Sequence, residues 1–232
     1  MLRVGMGFVI FACLAISIIG CGGGSGGNDP TSSTVAIQDF QVPANPGETR
    51  TIFFPNNTAI PAGVNSRIQW VNQTPGRHQI VSGTLVANGT VATEHLINIG
   101  NDGFSTTLLD ANFGDKITFS NLSQRAFKLQ VLDSNGRLVN NFDLPVGATI
   151  IQPPRVIFAG AGLYTVQDPE AQFVLTVTLS GTPQADGQFQ SGILSHGDVF
   201  QAAFPVPGTF HYFDLNPDDP KHVYATGTIV VQ

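Results

Sequence analysis

Cysteine is nearly absent: Cys13 and Cys21 are the only two in 232 residues, and both fall in the first 21 positions. Residues 22–232 hold no thiol. That excludes a disulfide framework, a thiolate nucleophile and a thiolate metal ligand from this part of the chain. Charge is scarce as well, at 11% of residues, with 10 Lys and Arg against 16 Asp and Glu and a formal charge of −6. Cations this few and this scattered make no nucleic-acid surface. Beyond the N-terminus there is no second long apolar run, so nothing else reads as a membrane-spanning helix. No stretch keeps apolar residues at a spacing of about 3.6, so helices are not expected.

What is present is Gly (26), Pro (15) and Phe (17). Short alternating segments separated by Pro and Gly predict an all-β chain with many turns. In Ser66–Asn72, Ile68 and Trp70 share one strand face, and Arg67 and Gln69 the other. Ile117 and Phe119 repeat the pattern in Lys116–Asn121. Trp70 and the many Phe residues are therefore assigned to a two-layer core.

The N-terminus follows another pattern. Arg3 precedes the apolar run Val4–Ile19, which ends on Gly20 and Cys21. One positive charge, a short apolar core and a small residue before a cut describe a secretory signal. The run is short for a span of about 20 residues. Ile18-Ile19-Gly20-Cys21 resembles the lipobox of bacterial lipoproteins. The resemblance implies that residues 1–20 are removed and that Cys21 becomes an acylated N-terminus anchored in a membrane. Gly22 rather than Asp follows it, which by resemblance to lipoprotein sorting implies the outer membrane of the cell envelope. Residues 21–34, rich in Gly and Ser, read as a flexible tether. Gly23-Gly24-Ser25-Gly26-Gly27 fits a nucleophile-elbow pattern, and Gly22, Gly24 and Gly27 fit a dinucleotide pattern. Neither lies between a strand and a helix, as each would need.

From Val35 onward the chain repeats itself. Ile68-x-Trp70-x-Asn72-x5-His78 matches Ile117-x-Phe119-x-Asn121-x5-Phe127 at an offset of 49. Phe158-x3-Gly162-x-Tyr164-x-Val166-x-Asp168 matches Phe204-x3-Gly208-x-Phe210-x-Tyr212-x-Asp214 at an offset of 46. The order is front, front, back, back. Interleaved pairing would make two domains thread each other's connections, which folds avoid. Nested pairing predicts an outer domain of residues 35–84 plus 182–232, interrupted by an inserted domain of residues 85–181. Ser82-Gly83-Thr84 would leave the outer domain and Ser180-Gly181-Thr182 return to it.

Joined across the insertion, the outer domain resembles a cupredoxin, the plastocyanin-like blue-copper family. The resemblance rests on the Trp70 strand, His78 after the next turn, Phe204-x3-Gly208-Thr209-Phe210-x-Tyr212 and the closing Gly227-Thr228-Ile229-Val230-Val231. The inserted domain shares the strand pattern more weakly. The resemblance implies two Greek-key β-sandwiches. It puts His78 at the first copper-ligand position, Asp214 where a Cys belongs, and His222 at the second His; no Met stands near Tyr224–Thr226. In the inserted domain Phe127 and Asp168 occupy the corresponding places. Blue copper needs a thiolate, so that chemistry is not expected.

His78, Asp214 and His222 remain a candidate two-His, one-carboxylate site for zinc or type 2 copper. The alternative is a relic in which His78 is hydrogen-bonded in a turn. Asp214-x-Asn216-x-Asp218 opens like a calcium loop but has Asp219 and Ala225 where Gly and Glu belong, and so reads as an acidic turn. His95, His196 and His211 stand isolated in the sequence, with His211 facing solvent. No nucleophile, base and oxyanion set converges. The expectation is a non-enzymatic, copper-free lipoprotein of the bacterial cell envelope that binds a protein or small ligand, with no cofactor. The alternative is a copper protein, for electron transfer or copper handling, working through a site that is not type 1.

Overall fold

The structure, a computed structural model, describes residues 32–232 apart from 44, 46, 88, 90, 91, 153–157, 171, 172 and 220–222. Cys21, the signal and His222 lie outside the described residues. The fold is all-β, with one sandwich inserted into a loop of another. The chain opens with β1 (Ser32–Gln41), β2 (Thr49–Phe54), β3 (Asn57–Ile60), β4 (Arg67–Asn72) and β5 (Ile80–Val86). Next come β6 (Glu94–Gly100), β7 (Gly103–Phe104), β8 (Leu108–Asn112), β9 (Lys116–Asn121), β10 (Phe127–Asp133), β11 (Leu138–Leu144), β12 (Thr149–Gln152), β13 (Gly162–Asp168) and β14 (Phe173–Ser180). It closes with β15 (Thr182–Gln190), β16 (Val199–Ala203), β17 (Gly208–Asp214) and β18 (Thr226–Val231).

Strands β1–β5 and β15–β18 build one sandwich, from a sheet ordered β16-β4-β1-β2 and a sheet ordered β15-β5-β17-β18-β3. Strands β6–β14 build the other, from sheets ordered β12-β9-β6-β7 and β11-β10-β13-β14-β8. The two orders are the same under one substitution of strands. Register agrees too: Ile37 pairs with Asn72 across parallel β1 and β4, and Ile99 with Asn121 across parallel β6 and β9. The chain leaves and re-enters the first sandwich through neighbours, since Thr182 pairs with Val86 and Gln184 with Thr84. An insertion there needs no separation of its two ends.

Alternation puts Ile68, Trp70 and Asn72 of β4 inside. Trp70 is the centre of the first core, with Phe189, Phe200, Phe204 and Tyr212 at ring-centroid distances of 5.3–6.5 Å. Phe119, Phe127 and Leu129 lead the second core. The sandwiches meet through a forked contact: the Arg50 guanidinium donates to both Asp110 carboxylate oxygens at 3.1 Å and to Thr178 Oγ1 at 3.3 Å. Leu163, a residue of β13, packs into the core of the first sandwich.

Candidate functional site

Inward-facing Asn72, at the end of β4, organises the following turn. Its Nδ2 donates to the carbonyls of Gly76 (2.8 Å) and Leu194 (3.0 Å). Its Oδ1 accepts the Thr74 N–H and the Thr74 hydroxyl, both at 2.9 Å. Asn121 does the same in the second sandwich, donating to Arg125 O (2.7 Å) and Leu144 O (3.1 Å) and accepting Ser123 N–H (2.9 Å) and Oγ–H (2.7 Å). In each sandwich a Ser or Thr hydroxyl also accepts a turn amide at 3.2 Å, from Gly76 or Arg125. A buried amide that meets all its partners fixes one turn geometry.

His78 follows that turn and is 1% exposed. Its backbone is bridged to Leu194 by bonds of 2.7 and 3.0 Å. Nδ1 lies 2.6 Å from Asp214 Oδ2, and Nε2 lies 2.7 Å from Thr74 Oγ1. Asp214 ends β17, is 3% exposed, and takes the Gln79 N–H on its other oxygen at 3.2 Å. The Thr74 hydroxyl lies within hydrogen-bond reach of both Asn72 Oδ1 and His78 Nε2, and the Asp214 carboxylate faces Nδ1, so both ring nitrogens have a partner. No ring lone pair of His78 points into free space.

The second sandwich meets the same need differently. Asp168, which ends β13 and is 3% exposed, takes Arg125 Nη2 at 2.9 Å. The guanidinium lies over the Phe127 ring, 4.5 Å from its centroid. Phe127 stands where the first sandwich has His78, and Arg125 where it has Gly76. Each sandwich thus buries a carboxylate at the end of equivalent strands and partners it from the turn that the Asn organises. One uses an imidazole in line; the other uses a guanidinium reaching around a phenyl ring.

The structure therefore joins His78 and Asp214 directly. Among the described residues, no group of three His, Cys, Asp or Glu is arranged to hold a metal ion. A copper ion on His78 would have to displace Asp214 from Nδ1 or Thr74 from Nε2. The described residues as arranged do not fit such an ion.

Thr74, His78 and Asp214 have the serial order of a nucleophile–base–acid relay. The hydroxyl is out of reach of a substrate, since Thr74 is 2% exposed. This chain is not visible in sequence spacing, although the shared Asn-x-Thr and Asn-x-Ser pairs at 72–74 and 121–123 mark its turn.

Among the described residues, the other histidines have partners. His95 Nε2 lies 3.0 Å from Asp115 Oδ2, His196 Nδ1 lies 3.0 Å from Thr74 O, and His211 Nδ1 lies 3.1 Å from Thr228 Oγ1. Partners on adjacent strands or loops are distant in sequence, which is why spacing hides them. Burial alone would raise the Asp115 carboxyl, but the Asn112 N–H, His95 and Thr93 N–H hold it below the ordinary value. The 214–218 segment is an acidic turn: Asn216 Oδ1 accepts the Asp218 N–H at 2.8 Å, while Asp218 receives Arg77 N–H and Nε, each at 3.0 Å. The side-chain hydrogen bond from Arg77 lowers the Asp218 carboxyl.

No protein-family model and no curated protein sequence is similar to the chain. Similar solved structures include a purple cupredoxin from Nitrosopumilus maritimus, 16% identical over 59% of this chain and 98% of its own, with a TM-score of 0.18. They also include a copper nitrite reductase from Nitrosomonas europaea, 10% identical over 70% and 97%, with a TM-score of 0.26. A mutant amicyanin in its Cu(I) form is 11% identical over 66% and 98%, with a TM-score of 0.17. Identities and TM-scores this low settle nothing about chemistry.

Proposed function

We propose that this chain is a copper-free β-sandwich binding module of the bacterial cell envelope, anchored by lipid on Cys21 and without enzymatic activity. The observation that carries the reading is the His78–Asp214 pair at 2.6 Å, with Thr74 on the other ring nitrogen. At the positions that the cupredoxin resemblance assigns to copper ligands, the first sandwich has a closed hydrogen-bonded pair, and its counterpart has a closed ion pair. Removing either partner of a buried pair is strongly unfavourable, so His78 is held for structure rather than offered to a ligand. The Thr74–His78–Asp214 order supports no hydrolase, because Thr74 and His78 are 2% and 1% exposed and the hydroxyl has no access to a substrate.

The second reading is copper handling through His78, Asp214 and His222, favoured by the direct approach of the first two. The readings part on metal content. The protein is isolated from envelope membranes of cells grown with added copper, and its copper and mature N-terminus are measured by mass spectrometry. The expectation is a diacylated or triacylated Cys21 and far less than one copper per chain. One copper per chain would favour the second reading, and an unmodified N-terminus downstream of Cys21 would contradict the anchor.

A further inference from the structure

A cleft of about 360 Å³ opens between the sandwiches. One wall comes from β5, β17 and β18, and the other from the β10–β11 hairpin and residues 159–164. We propose that this cleft binds a neutral, polyhydroxylated ligand of roughly disaccharide size. The proposal rests on the binding-module reading and names its ligand class.

The cleft is built rather than left over. Its lining includes Gly83, Gly160 and Gly227 with Ala159 and Ala161. A Cβ on Gly227 would come within 2.2 Å of the Tyr212 ring, and one on Gly83 within 2.1 Å of the Gln184 carbonyl oxygen. Close packing therefore enforces glycine at these two positions of the wall. The two walls are tied together beside the opening: Asn135 Nδ2 donates to Asn56 Oδ1 at 3.0 Å, and Asn56 Nδ2 to Ser134 Oγ at 3.2 Å. The volume lies at the lower end of the range for small-molecule sites, about 300–1,000 Å³.

Its chemistry selects a class of ligand. Arg137 and Asp133, the lining residues of fixed charge, are paired with each other at 3.2 Å. The wall thus offers an ionic ligand no unpaired charge. Hydrogen-bonding capacity remains. Arg137 spends Nε on Asp133, and its two Nη groups bond no described residue. They form a planar pair of donors that suits two adjacent oxygens. His211 uses Nδ1 on Thr228 and leaves Nε2 for the cleft, while the Asn57 amide and the Thr84 hydroxyl are exposed in it. Leu85 and Val139 supply apolar surface between these groups. Donors, acceptors and small apolar patches without net charge match a sugar, whose hydroxyls both give and accept and whose C–H faces are apolar.

The full chain is titrated by calorimetry with cellobiose, maltose and diacetylchitobiose, and with digalacturonate as an anionic counterpart. Amide chemical shifts locate the binding. The expected result is saturable binding of at least one neutral disaccharide with Kd of about 1 mM or tighter, with shifts at Thr84, Asp133–Val139, His211, Tyr212 and Thr226–Thr228. Thr84→Trp, which fills the cleft from an exposed position, should abolish binding at an unchanged melting temperature. Arg137→Gln should weaken it about fivefold or more. The inference is overturned if no neutral disaccharide saturates, if only digalacturonate binds, or if the shifts fall elsewhere. Copper content is independent of all these outcomes, so failure here leaves the copper-free reading standing.

Discussion

The second sandwich prescribes a rescue for the first. His78→Phe installs the side chain found at Phe127 but leaves Asp214 buried without its partner. Asp214 is 3% exposed and would retain one hydrogen bond, from Gln79 N–H. Stranding a buried charge costs about 3–5 kcal/mol, a large part of a total stability of about 5–15 kcal/mol. Adding Gly76→Arg places a guanidinium where Arg125 stands in the second sandwich. Gly76 has no left-handed backbone, and the nearest neighbour of a Cβ there is His78 Nε2 at 3.4 Å, which the first substitution removes. The double variant should recover about half of the loss; overpacking by the larger ring retains roughly 1–3 kcal/mol. Urea unfolding followed by fluorescence is suited to the question. Trp70 is the only tryptophan, is 0% exposed, and reports on the affected core. The reasoning fails if His78→Phe costs less than about 1 kcal/mol, or if the double variant is no more stable than the single one.

Burial pushes the phenols of Tyr164 and Tyr224 up to about 12, and Tyr212 higher still. Unfolded tyrosine titrates near ~10, so the folded state holds these protons more tightly; the resulting stability is intact below about pH 10 and is lost between about 10 and 12. Ultraviolet phenolate absorbance should therefore rise together with loss of the β circular-dichroism signal, and a rise near pH ~10 with the fold intact would contradict the burial. Replacing residues 87–181 with an Asn-Gly turn should leave a cooperatively folding first sandwich, because Val86 and Thr182 are already paired. A cooperative melt from residues 35–84 alone would contradict the account of one core shared by both segments.

The insertion is legible in the sequence because each repeated position carries the same physical duty. Ile68 and Ile117, Trp70 and Phe119, and Asn72 and Asn121 all point inward from equivalent strands, so their spacing survives divergence. Spacing and resemblance single out His78 and Asp214, but not their direct bond, since 136 positions separate them. The Arg125–Asp168 pair is hidden for a different reason. Its cation stands at the place of Gly76, two residues before the matching ring, so aligned positions do not match in chemistry. The cleft leaves no sequence signal because close packing enforces its Gly83 and Gly227, and its polar residues come from separate sandwiches. The roles of His222 and Cys21 rest on sequence alone, both lying outside the described residues.

The claim that a closed His78–Asp214 pair has taken the place of a metal site is tested most directly by titrating the metal-free chain with Cu²⁺. Calorimetry and the visible spectrum are recorded together, for the native protein and for His78→Ala. The account predicts no stoichiometric binding and no intense visible band. One tight equivalent that disappears in His78→Ala would contradict it.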